Sequence, residues 1–198
     1  MTVNQTERSP RARLLDAAEE LLLRSGCDAV SVRAINAEAG MNPAAVHYHF
    51  GSKDALIAAL LEARLTPLWQ DELAELAARR DAGRPPATAE LVDVVLGPLR
   101  RLVEHPRGRL HLHLLARLVL GRRDVGWTSR WFRIEPWVDL LCSARPGLTE
   151  SQARERLMLA FDLTLHVVGT PAADTPRENP TGLEALRTFV AAGLEAAP

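Results

Sequence analysis

The stretch SVRAINAEAGMNPAAVHYHFGSKDAL, residues Ser31 to Leu56, decides the fold. Ser31 is a good helix N-cap, and Val32, Ile35 and Ala39 fall at helical spacing on one face before Gly40, a residue suited to the left-handed backbone at a helix end. Asn42 can cap again and Pro43 is favoured at a first helical position, so a second helix is expected from Pro43 to about His49. Two short helices around a tight turn are the shape that lays a recognition helix in the major groove of DNA.

Outward from this core the pattern stays helical. Leu14, Ala17, Ala18, Leu21 and Leu22 recur at i, i+3, i+4, i+7 and i+8 between Ser9-Pro10 and Gly26, which predicts a first helix packed over the pair. After Ser52 a connector is expected from Lys53 to Arg64, with Pro67 kinking or breaking it before Leu68 to Arg80. Asp81 to Pro86 reads as a linker. Further helices are expected over Thr88 to Glu104, Pro106 to Leu120, Thr128 to Ser143, Thr149 to Val168 and Gly182 to Ala196, with Thr149 and Gln152 as a capping box. Residues 1 to 8 are short, polar and unpatterned, which reads as disorder, and Gly169 through Pro180 reads as a loop.

The 198 residues are 47% hydrophobic and only 5% aromatic, and no stretch alternates apolar and polar residues long enough for a convincing strand. The expected class is all-α, with a three-helix helix-turn-helix domain over residues 9–51 and a helical ligand-binding and dimerisation domain over 52–198. No segment reaches the roughly 18 to 20 apolar residues that span a bilayer, and the N-terminus lacks the apolar core of a signal peptide. Cys27 and Cys142 lack zinc spacing and fit two thiols in a reducing cytoplasm. The expectation is a cytoplasmic protein with no membrane partner, no metal and no cofactor.

Net charge is −1, so the whole chain carries no basic signature of nucleic-acid binding. Cations on one face, helix N-termini and backbone N–H groups suffice for phosphate contacts. Of 24 basic residues only Lys53 is a lysine. It reads either as the survivor of a bias toward arginine or as a phosphate anchor at the start of the connector.

Residues Leu14 to Leu56 resemble the DNA-binding domain of the tetracycline-repressor (TetR) family of bacterial transcriptional regulators. The resemblance rests on Ala17, Ala18 and Leu21, Gly26, the small-residue run Ala44-Ala45-Val46, the segment Tyr48-His49-Phe50, and Lys53. It implies that Arg33 and Asn42 face DNA and that Ala44 and Ala45 lie against base edges, where a methyl can meet a thymine methyl. It also implies that His47 and Tyr48 reach phosphates or bases, that Lys53 holds a phosphate, and that His49 and Phe50 pack inside. His47 departs from the tyrosine that many members carry. The partners implied are operator DNA, palindromic for a homodimer, and a small-molecule effector.

Trp69, Trp127, Trp131 and Trp137 all lie outside the DNA motif, and three of them cluster with Phe132 inside eleven residues. They read either as walls of an effector pocket or as core. Trp127 and Trp131 would share one face if helical, and His111, Phe161 and His166 are further pocket candidates. The pairs His47/His49 and His111/His113 point to different helix faces and make poor chelates. No catalytic arrangement with motif-level support appears, so an all-α enzyme or interaction protein with a purely structural helix-turn-helix stands as the alternative. The last two helices carry more apolar positions than one buried face needs, which assigns Leu157, Phe161, Leu165, Leu186, Phe189 and Val190 to a dimer interface.

Overall fold

The computed structural model describes residues 9–169 and 180–197, so the expected disorder of residues 1 to 8 and most of the expected loop before Pro180 lie outside the described residues. The described residues form α1 (Pro10–Ser25), α2 (Val32–Glu38), α3 (Ala45–Phe50), α4 (Lys53–Asp81), α5 (Thr88–Glu104), α6 (Pro106–Leu120), α7 (Glu135–Ala144), α8 (Glu150–Gly169) and α9 (Pro180–Glu195). Three serines start the N-terminal helices by accepting a backbone N–H: Ser9 from Ala12 at 3.2 Å, Ser31 from Ala34 at 3.1 Å and Ser52 from Ala55 at 3.0 Å. Thr149 and Gln152 form the expected capping box at α8.

Two hydrophobic cores share the chain. Leu14, Ala18 and Leu22 of α1 pack with Ile35, Val46 and the α4 residues Leu56, Leu60, Leu61 and Leu65 in the first. Leu114 and Leu118 of α6 complete it, so this unit draws on helices well beyond residue 51. The second core joins Leu73 and Leu76 of α4 and Leu112 of α6 to α5, α7, α8 and α9. α4 and α6 therefore belong to both. Where α8 ends against α6, Gly169 has no alternative, because a Cβ there would sit 2.7 Å from the Leu112 carbonyl oxygen.

Two expectations change. Pro67 lies inside one continuous α4. The bond it cannot donate would have gone to the carbonyl of Ala63, and both residues are exposed, so that carbonyl is open to solvent rather than orphaned in a core. The helix expected from Thr128 does not form until Glu135; before it, the chain crosses α4 as a strap containing a single 3-10 turn at Arg130–Phe132. Glu62 of α4 captures the backbone N–H groups of Thr128 and Ser129, and Pro136 sits where proline is tolerated, in the first turn of α7. Trp127 and Trp131 consequently share no helical face.

Glu19 of α1 is 5% exposed and lies where α1, α4 and α6 meet. It accepts from Arg64 Nε at 2.9 Å and from His111 Nε2 at 2.8 Å. Burial opposes its ionisation, but the hydrogen bonds from His111 and Arg64 outweigh that and lower its pKa to about 2 from an ordinary 4.5. Glu19→Ala leaves Arg64 and His111 short of a partner in a confined site, and should cost about 3 kcal/mol in urea unfolding at neutral pH. Because the folded carboxyl is the more acidic, its stabilisation is complete above about pH 4.5 and lost as pH falls toward 2. Wild type should lose stability more steeply across that window than Glu19→Gln, as measured by urea midpoints at successive pH values.

Candidate nucleic-acid interface and effector cleft

α3 is six residues long and its two faces have opposite fates. Ala45 and Val46 are buried at 3% and 0% exposure, whereas Tyr48 is 84% exposed. α3 begins two residues later than expected because Asn36, itself buried, holds the chain just before it. Its Nδ2 donates to the Pro43 carbonyl at 2.6 Å and its Oδ1 accepts from Val46 N–H at 3.0 Å, so that carbonyl is diverted from a helical bond. Asn36 was missed in the sequence; the signal was a polar side chain beside Ile35 on the inward face of α2. Asn42, expected to cap α3, instead closes the turn before it by accepting from Ala44 N–H at 2.9 Å, and Ala44 takes the N-cap position. Gly51 then turns the chain into α4 with φ of 81°, a backbone that a β-carbon disfavours.

Of the residues assigned to DNA, Arg33, Asn42, Ala44, His47 and Tyr48 are exposed. His47 donates its ring N–H to the Gly51 carbonyl at 3.0 Å, and no hydrogen bond or ion pair engages the Arg33 side chain among the described residues. Ala45 is corrected: its methyl fills the first core and cannot meet a base edge. His49 and Phe50 are half-buried, with Arg11 donating to the His49 carbonyl at 2.9 Å and lying 4.2 Å over the Phe50 ring.

Lys53 is corrected too. Its ammonium donates to the carbonyls of Cys27 at 2.7 Å and Val30 at 2.5 Å, which turns it inward and ties the α1–α2 connection to the head of α4. Arg117 stands nearby, paired with Asp28 at 2.7 Å.

The second core contains a narrow, largely apolar cleft with room of about 30 Å³ for water-sized molecules, lined by residues including Leu91, Val95, Trp137, Leu157, Phe161 and Val190. Thr164 is its polar lining residue, and that hydroxyl already donates to the Ala160 carbonyl at 2.7 Å. Of the residues assigned to an effector, only Phe161 lines the cleft. His111 is bound to Glu19, His166 is exposed, and Trp69 donates its indole N–H to the Val95 carbonyl at 3.3 Å. Trp127 stacks on Phe132 at 4.7 Å outside the cleft, and Trp131 meets it only through Trp137, edge to face at 6.1 Å. Trp137 was noted in the aromatic cluster but not assigned to a site, because the helix expected from Thr128 hid which ring would face inward.

The interface assignment divides similarly. Leu157, Leu186 and Val190 are buried in the second core, Leu165 is 8% exposed, and Phe161 belongs to the cleft. Phe189 is 67% exposed, and with it stand Leu159 at 71% and Met158 at 41%, which the sequence reading passed over. Among the described residues no helix is long and apolar enough to cross a membrane.

Residues 14–60 match the model of the bacterial regulatory proteins of the tetR family. Over 58 residues the chain is 40% identical to the HTH-type transcriptional regulator UidR of Escherichia coli strain K12, covering 29% of this chain and 30% of that one. It is 43% identical over 61 residues to the HTH-type transcriptional regulator BetI of Brucella anthropi, covering 31% of each. The chain thus matches less than a third of the length of these relatives. Its fold is that of the multidrug binding protein EbrR complexed with imidazole, with a TM-score of 0.58 and 23% identity over 97% of this chain and 98% of that one. Residues 14–60 are therefore similar to the N-terminal segment of the tetR family of bacterial regulatory proteins, in a chain whose described residues fold into helices as EbrR does.

Lys53→Met removes two charge-assisted bonds and should lower stability by about 2 kcal/mol. The slope of log DNA affinity against log salt should stay at the wild-type value, since no phosphate contact is lost. A slope shallower by about one unit per protomer would return Lys53 to the phosphate backbone.

Proposed function

We propose that this chain is a homodimeric regulator of transcription that binds a palindromic operator through α3 and is released from it by a small apolar effector. The observation that carries the DNA reading is the exposure of Tyr48 beside Arg33, Asn42, Ala44 and His47, on a short helix whose other face is buried. A large ring left in water does nothing for the fold. The tetR-family segment and the regulators UidR and BetI that share it support the same reading. Such a dimer acts where the DNA lies, in the cytoplasm, and its two α3 helices would meet half-sites about 34 Å apart.

The effector reading rests on the cleft. With Thr164 already bonded and the other named walls apolar, an occupant finds no partner for a charge, so it is uncharged and apolar or aromatic. Exposed Phe189, Met158 and Leu159 on α8 and α9 supply the surface that a second copy would cover.

DNA selected from a random pool, or from the chain's own upstream region, provides the test. Tyr48→Ala should weaken binding to that DNA at least tenfold with an unchanged melting temperature. Absence of any sequence-specific binding by the wild type would overturn the reading and favour a structural helix-turn-helix.

Phe189→Asp should convert the dimer to a monomer in sedimentation and weaken operator binding with it, because a charge would have to be buried in the interface. A well-folded dimer of unchanged affinity would place the interface elsewhere.

A further inference from the structure

No α4 residue lines the cleft, so an occupant reaches the connector to the DNA-reading helices only through other residues. We propose that the strap between α6 and α7 is that relay, with Glu62 as its attachment to α4, a device that rests on the ligand-responsive reading above.

Glu62 holds the strap by three short bonds. Its Oε1 accepts from Thr128 N–H at 2.6 Å and Ser129 N–H at 2.7 Å, and its Oε2 accepts from the Thr128 hydroxyl at 2.6 Å. Glu62 follows Leu61 of the first core, so whatever pulls on it pulls on the unit that carries α3. Just beyond these bonds, Trp127 and Phe132 stack at 4.7 Å and pack on that same core. At the other end, the Trp131 carbonyl accepts from the Trp137 indole N–H at 3.0 Å. Trp137 is a wall of the cleft and meets Phe161, another wall, edge to face at 5.4 Å.

An apolar ligand entering between those rings must displace the Trp137 indole, since the two are already in contact. The indole is bonded to the strap backbone, and the strap to α4, so its displacement is delivered at Glu62. The strap can yield because its only helical piece is one 3-10 turn. Other links to α4 exist, the packing of Leu73 and Leu76 among the cleft walls and the bond from the Val95 carbonyl to the Trp69 indole at 3.3 Å, but both meet regular helix rather than a segment that can yield. Glu62 and Thr128 are thus positioning residues, distinct from those that touch DNA or ligand.

The experiment uses full-length wild type, Glu62→Ala, Thr128→Val and Trp69→Phe, with the uncharged dye N-phenyl-1-naphthylamine as probe and the selected operator as DNA. The coupling factor is the ratio of the dye's Kd for the operator complex to its Kd for the free protein. Wild type should give a factor above about five. Glu62→Ala and Thr128→Val should bring it close to one, while dye affinity for the free protein stays within about twofold of wild type. Trp69→Phe should keep the wild-type factor. A wild-type factor above five that survives Glu62→Ala overturns the strap alone, whereas a wild-type factor of one overturns effector release and the strap together. Should Glu62→Ala fail to fold, hydrogen exchange in wild type decides: the dye should deprotect the amides of Thr128 and Ser129, and unchanged protection overturns the relay.

Discussion

The ionised carboxylate of Glu19 is the interaction on which the arrangement of the two halves depends. α1 contributes it, α4 answers with Arg64 and α6 with His111, so three helices are tied at one buried point. Arg64 also bonds Asp16 at 2.7 Å, and Arg107 approaches Glu19 at 3.6 Å while pairing with Glu20. A buried carboxylate is costly unless every neighbour agrees in position. That demand is directional in a way that leucine packing is not, and it sets the angle at which α1 lies on α4 and α6.

Because α4 and α6 serve both cores, the helix-turn-helix and the cleft are parts of one continuous packing rather than beads on a linker. Movement at one end must then be carried by discrete contacts. α4 continues as one helix past Pro67, with the buried Leu65 in the first core before it and the buried Leu73 in the second core after it. The cleft lies in the second core, to which α4 contributes Leu73 and Leu76.

Lys53 and Asn36 show how much of the short α3 is held from behind. Each spends its polar atoms on backbone groups that the tight turns leave without helical partners. α3 itself has too few residues to be stable alone. Its exposed face is free to carry Tyr48 because its hidden face and both its ends are held by neighbours.

Helix starts and stops were legible in the chain, since serine caps, glycine ends and the apolar spacing of Leu14 through Leu22 act within a few residues. The helix-turn-helix was legible for the same reason. The strap was not read, although Pro136 argues against helix running through it; its path is fixed by Glu62, sixty-six residues away in sequence from Thr128, which accepts from the Thr128 and Ser129 amides. Nor were the fates of Ala45, Lys53, Leu157, Leu186 and Val190, since periodicity shows that a residue shares a face but not what that face meets. Local backbone chemistry is encoded by near neighbours and so by the sequence alone. Which side chain lies in a core, in a cleft or in water is decided only when distant helices close on it.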